Sequence, residues 1–321
     1  MRAATSNSGD ESTNPGENLE GIGDACTTLF LGFLCAIGLA CGGTGSSSTN
    51  PSTPSAGQPT FSHVVLLVEE NHSYSDVIGN SQMPYFNSLA SQYGLAGEYF
   101  ANAHPSLPNY LMLTTGQIET YDDGFTGTIT DDNVVRELVK AGKTWKAYAE
   151  SIPSAGYLGP DSGNYARDHN PFTYFSDVQN DSSQAANIVP FTQLASDMAN
   201  HALPQYSFVI PNLLDNAHNG TLAEADAWLQ SNIAPLLADS SFQTSGLLII
   251  TFDESEQSDI QNGGGQVATL IVSSQAKQGY VSKTMYQHQS TLRLTLAASG
   301  VNTFPGMAAN APDMTEFFVG H

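Results

Sequence analysis

Ser106 stands where a loop turns into a helix. The stretch 103–116 reads Ala-His-Pro-Ser-Leu-Pro-Asn-Tyr-Leu-Met-Leu-Thr-Thr-Gly. Pro105 holds His104 extended, Ser106 takes the N-cap position, and Pro108 follows within two residues. Leu107, Tyr110, Leu111 and Leu113 give one buried face, and Gly116 is a stop. The start of such a helix offers free N–H groups and a dipole suited to an anion. A serine in that position most often does no more than cap its helix. What raises its standing is a pattern elsewhere. The apolar run 63–68 ends in Glu69-Glu70-Asn71-His72, the run 206–210 leads to Asp215 and His218, and the run 246–252 enters Asp253-Glu254 directly. Carboxylates placed just past buried strands are costly unless they bind something. Glu70, Asp253 and Glu254 together with the Ser106 hydroxyl form a hard, oxygen-rich set that suits a divalent metal ion.

These residues need a scaffold that brings strand ends together. Strands are expected over 63–68, 97–101, 144–149, 206–210, 246–252 and 267–272. Helices are expected over 82–92, 133–141 (Val134, Leu138 and Val139 inward), 191–199, 221–237 and 290–298, the last just after His288. This alternation predicts an α/β fold, a three-layer α/β/α sandwich with a mostly parallel central sheet. Ligands in such sheets sit at the carboxyl edge. The Gly-, Pro-, Asn- and Ser-rich segment 151–190 is too long for an idle connection and reads as an excursion over that edge, presenting His169.

The chain has 321 residues, with 9 Lys+Arg against 31 Asp+Glu and a formal net charge of −22. Such a surface repels nucleic acid and anionic membranes, and it holds an anion only through a locally positive element. Cys26, Cys35 and Cys41 all precede residue 60, so the folded part has neither a disulfide framework nor a cysteine-based metal site. Residues 1–60 read as an export segment and flexible linker, and 61–321 as one catalytic domain. The apolar run 29–40 is too short for a stable transmembrane helix, and a Ser/Thr/Gly/Pro-rich tether follows it. Leu39-Ala-Cys41 is similar to a lipoprotein cleavage site, with Cys41 as the candidate lipid anchor. The expected location is periplasmic, extracellular or anchored to the cell envelope.

Several motifs carry a resemblance to a known family. They are Val68-Glu-Glu-Asn-His-Ser-Tyr, His104-Pro-Ser-Leu-Pro-Asn-Tyr-Leu with Thr115-Gly, Asp168-His-Asn-Pro-Phe with Tyr174-Phe, Pro211-Asn-Leu with His218, Ile250-Thr-Phe-Asp-Glu, and His288 before Leu292-Arg293. In this order, over about 61–300, the chain resembles the bacterial phosphoesterases. That family holds acid phosphatases and non-haemolytic phospholipases C and belongs to the alkaline phosphatase superfamily. The resemblance implies a metal-dependent phosphoric ester hydrolase with Ser106 as nucleophile, passing through a phosphoserine. It implies that Glu70, Asn71, Asp253 and Glu254 join Ser106 around a metal, with His169 and His218 on the phosphoryl group or leaving oxygen. His104, Asp215 and His288 are expected close by, against the substrate or behind the ligands. An acid is expected beside His218, but Asn216 and Asn219 flank it and Asp215 stands three before. Nothing after the helix near 298 reads as a lipid-binding module, which favours small phosphomonoesters over a phospholipid headgroup. The alternatives are a phospholipase C or phosphodiesterase on the same scaffold and a non-catalytic envelope binding protein.

Overall fold

A computed structural model describes residues 59–320. The export segment, the candidate anchor Cys41 and all but the end of the linker lie outside the described residues.

Eight strands form one sheet: β1 (His63–Glu69), β2 (Gly94–Phe100), β3 (Trp145–Ala149), β4 (Ile188–Pro190), β5 (Tyr206–Ile210), β6 (Gly246–Phe252), β7 (Thr269–Val272) and β8 (Tyr280–Gln287), in the order β4-β3-β5-β1-β6-β7-β2-β8. All run parallel except β7, which is antiparallel to both β6 and β2. The expected parallel sandwich is therefore present, and the carboxyl ends of β1, β2, β3, β5, β6 and β8 share one edge. Central β1 and β6 are buried almost end to end, as their unbroken Val/Leu/Ile runs require.

Two strands have no counterpart in the sequence reading. β4 is three residues, Ile-Val-Pro, inside the long 151–190 segment. β8 is an edge strand with half of its residues exposed, so its polar Ser, Lys and Thr hide the apolar signal. The helix Val134–Lys140 also differs in its facing. Val134, Val135 and Leu138 are buried, whereas Val139 is 44% exposed. Helical spacing sends Val135, one residue after Val134, to the core side, and Val139 turns outward.

Helices cover the sheet in two groups. Ser106–Thr115 packs on His288–Ala298, which also meets Val134–Lys140. Pro84–Gln92 packs on Leu222–Ala238. Gly116 ends the first helix with φ of 71°, and a Cβ there would lie 2.5 Å from the Pro305 carbonyl oxygen. Leu222–Ala238 starts with a capping box between Thr221 and Glu224.

Pro84–Gln92 has no side-chain cap of its own: Met83 holds the N-cap position. Its first free N–H groups are taken across the interface by Asp226, only 3% exposed, which accepts from Tyr85 N at 2.9 Å and Phe86 N at 2.8 Å. Replacing Asp226 by Ala leaves both donors buried without a partner. Asp226→Ala should lower unfolding free energy by about 2 kcal/mol in a urea titration; a loss below about 0.5 kcal/mol, the scale of a neutral surface change, would contradict this cap.

Candidate active site

At the exit of β1 the chain splits two acids between environments. Successive strand residues point to opposite faces. Glu70 turns toward the Ser106–Thr115 helix, whereas Glu69 turns away and is fully buried in the field of Asp215, Asp226 and Glu150. Burial, then those acids, raise the Glu69 carboxyl well above its usual range, which favours its neutral form.

Ser106 is the first helical residue, not the cap. Pro105 occupies the N-cap position and no side-chain cap bond is present. The hydroxyl is thus not spent on the backbone: Ser106 Oγ donates to Glu70 Oε2 at 3.1 Å, in a side chain 5% exposed. Asn109 fixes the loop ahead of it, accepting from Asn102 N and Ala103 N and donating to Ala103 O at 2.8 Å. A glycine run braces the same loop from outside. Gly264 N donates to Ala101 O at 3.2 Å, and Ala101 N to Gly265 O at 2.9 Å. A Cβ on Gly263 would lie 2.1 Å from Asn102 O. At the helix start, Leu107 N donates to Asp123 Oδ1 at 2.9 Å.

Glu70 is the hub. Besides Ser106 it accepts a short hydrogen bond from the Tyr110 hydroxyl and a longer one from Asn71 Nδ2 at 3.4 Å. His169 Nε2 lies 3.5 Å from Glu70 Oε1, and the His169 ring stacks on Tyr110 at 5.2 Å and 8°. His169 Nδ1 accepts from the Asn216 amide at 3.3 Å, which places the proton of the neutral ring on Nε2. His218 comes next, 5.6 Å from His169 by ring centroids, with Nδ1 donating to Asn219 Oδ1 at 2.9 Å. One ligand atom each of Glu70, His169 and His218 lie within 4.8 Å of one another. From β6, Asp253 Oδ1 accepts from Asn71 N at 3.1 Å, and its other oxygen, Oδ2, is buried without a hydrogen-bond partner.

Burial dominates the electrostatics. It raises Glu70 well above the ordinary carboxyl range, with Asp253 adding to the rise and the Tyr110 bond opposing it. It lifts Asp253 to about 6, and, with Asp253 and Asp123 as further causes, Glu254 to about 9. Asp168 rises to about 7 by burial and then by Asp123. His169 falls to about 3 because burial and neighbouring His218 disfavour its cation. The cluster is therefore short of positive charge, and the unpartnered Asp253 Oδ2 is placed where a cation could take it.

The expected residues fall into three groups. Glu70, Asn71, Ser106, His169, His218 and Asp253 meet as described. Glu254 and His104 form a pair beside them: His104 Nδ1 lies 3.2 Å from Glu254 Oε2, and His104 Nε2 donates to Asp259 O at 2.9 Å. His288 sits behind, its Nε2 donating to the Asp253 carbonyl oxygen at 2.6 Å, so it holds backbone rather than substrate. Asp215 stands apart and is not the partner of His218. It accepts from Asn212 Nδ2 at 2.9 Å and acts on Glu69 and Glu150; the asparagine next to His218 takes the role expected of an acid. Tyr110, Asn109, Asn216 and Asp123 were not anticipated. Tyr110 had a signal, since it lies four residues after Ser106 on the same helical face, but an aromatic there also suits the core. A cavity of about 540 Å³ opens over Ser106, with Asn71, Asp123, His218, Glu254 and Glu256 in its wall.

The model of the Phosphoesterase family matches residues 79–301. A phosphatidylinositol-3-phosphatase of Mycobacterium tuberculosis is 34% identical over 266 residues, 81% of this chain and 84% of that protein. A probable acid phosphatase of Kluyveromyces lactis is 32% identical over 241 residues, 72% of this chain. An acid phosphatase of Aspergillus fumigatus is 31% identical over the same length. The chain spans only 56% and 53% of those two fungal proteins. Among solved structures, an alkaline phosphatase superfamily protein from Vibrio parahaemolyticus aligns with a TM-score of 0.54 at 12% identity, over 79% of this chain and 71% of that one. A phosphonate monoester hydrolase from Silicibacter pomeroyi aligns with a TM-score of 0.52 at 12% identity, over 81% and 77%. These likenesses give the alkaline phosphatase-like fold. The chain belongs to the Phosphoesterase family and is a hydrolase acting on phosphoric esters.

Proposed function

We propose that the protein is a metal-dependent phosphomonoesterase in which Ser106 attacks phosphorus and carries a phosphoserine intermediate. The observation that supports it most is the bond from Ser106 Oγ to Glu70 Oε2 at 3.1 Å, at the start of a helix. A hydroxyl is a weak nucleophile until a base takes its proton, and a carboxylate whose pKa is raised is a stronger base. Glu70 receives the proton on Oε2. His169, neutral and carrying its proton on Nε2, donates to the phosphoryl oxygens. His218 lines the open side of the pocket and is oriented through Nδ1–H by Asn219; in its imidazolium form Nε2 carries a second proton, which it gives to the departing alkoxide. A divalent cation, when bound, supplies the charge that offsets the phosphoryl oxygens and lowers the hydroxyl pKa. Glu70, Asp253 and the Ser106 oxygen would hold it. The orphaned Asp253 Oδ2 and the raised carboxyls fit such an ion. The acid phosphatase names of the fungal relatives favour a monoester over the phospholipase C alternative.

With a p-nitrophenyl phosphate substrate, Ser106→Ala should lower kcat by roughly 10³-fold or more while leaving the fold intact by circular dichroism. Removing His218 should cost about 10²–10⁴-fold with an alkyl leaving group and less with nitrophenol. Rapid acid quench and mass spectrometry should place the phosphate on the Ser106 peptide. Phosphate on a histidine peptide, or near-normal turnover in Ser106→Ala, would overturn the mechanism, and hydrolysis of a choline phospholipid in preference to the monoester would favour the alternative.

The carboxyl shifts set a pH dependence. Asp253 and Glu254 have folded pKa values near 6 and 9, above the unfolded values of about 4. The folded state therefore binds the extra protons. The stability they contribute is fully present below about pH 4 and is lost as pH rises through those folded values. Buried His169 and His288, lowered to about 3 and 4, work in the other direction, costing stability below about pH 6.5, where the unfolded histidines protonate. Above that only the carboxyls act. In chelator, the thermal midpoint should fall by roughly 3–6 °C between pH 6.5 and 9, and a divalent cation should flatten the fall. A midpoint that rises over this range in chelator would contradict it.

A further inference from the structure

The cavity over Ser106 has three acidic side chains in its wall, Asp123, Glu254 and Glu256, and among the described residues neither Lys nor Arg lines it. Their surroundings differ. Glu254 Oε2 faces His104 Nδ1 at 3.2 Å. Glu256 is exposed at the rim. Asp123 is held in place, because its Oδ1 accepts from Leu107 N at 2.9 Å. That bond has a second effect. Beside His218, the positive end of the Ser106–Thr115 helix is the feature of this wall that would attract a second anionic group, and a carboxylate already faces it. The guanidinium of Arg167 is engaged elsewhere, over the Tyr174 ring at 4.3 Å. The net charge of −22 adds a field of the same sign.

We propose that Asp123 and Glu256 are specificity-determining residues that make this mouth accept phosphomonoesters with a neutral or cationic leaving group and reject those whose leaving group carries further negative charge. The inference rests on the phosphomonoesterase reading. The phosphoryl group is bound at Ser106, so the rest of the substrate lies in the mouth. There an added carboxylate or phosphate meets like charges, while an ammonium meets opposite ones. The walls are solvated, so each charge acts modestly and is screened by salt.

Three soluble substrates test it: phosphoethanolamine, sn-glycerol 3-phosphate and 3-phosphoglycerate. The last two share a skeleton and differ by a carboxylate in place of a hydroxymethyl group. At low ionic strength kcat/KM should fall in that order, by about tenfold or more from first to last, mainly through KM. The spread should shrink in 1 M NaCl. Glu256→Gln and Asp123→Asn, which keeps an oxygen for Leu107 N, should each narrow it about threefold, and Glu256→Lys should narrow it further. Equal efficiency on all three substrates, or a spread indifferent to salt and to every variant, would overturn this inference and leave the phosphomonoesterase reading standing. If none of the three is hydrolysed while p-nitrophenyl phosphate is, this inference alone falls; if p-nitrophenyl phosphate is not hydrolysed either, that reading falls and this inference with it.

Discussion

A carboxylate that has left water must be met by hydrogen bonds or by a cation, and the active site is built around that demand at Glu70. The side chain is fully buried and accepts from Ser106, Tyr110 and Asn71. Three donors satisfy its oxygens but bring no full positive charge. Asp253, equally buried, adds a like charge beside it. Low dielectric makes such a network strong when complete and costly when incomplete. The raised carboxyls and the orphaned Asp253 Oδ2 are two expressions of one incompleteness.

The scaffold meets this demand by convergence at one edge. β1 delivers Glu70, β6 delivers Asp253 and Glu254, and the loop after β2 delivers Ser106. Around them runs a layer of groups that hold backbone rather than substrate. Asn109 ties the loop to the helix it precedes, and His288 ties the main chain of Asp253 to the helix His288–Ala298. Solved structures at 11–12% identity share the fold, so the sandwich is specified by patterning while the chemistry is specified at strand ends.

The chain announced the central strands because a doubly buried parallel strand has to be apolar at every position. It hid β8 because an edge strand faces solvent, and β4 because three residues make no pattern. Placing the clustered acids Glu70 and Asp253 needed no more than the rule that strand ends share an edge. The partners were harder. Whether Tyr110 packs in a core or holds Glu70 depends on which helical face the sheet covers, and local spacing does not contain that. Asp215 misled for the same reason: three residues from His218 in sequence, it turns toward Glu69 and Glu150, and the shorter Asn219 reaches the ring instead. Ser106 was placed one position too early, as a cap, although a serine after proline can as readily open the helix.

The glycine run that braces the Ser106 loop comes from the hairpin side of the sheet, about 160 residues later in the chain. Loop closure over that span is among the latest contacts a growing polypeptide can make. A ribosome exposes the serine long before it exposes Gly264, and until Gly264 docks, the segment ahead of the serine lacks one of its two anchors. Asp253 and His288 arrive late as well. In the order of synthesis Ser106 precedes Asp253, Gly264 and His288, so the surroundings of its hydroxyl are complete only once those later residues have folded against it.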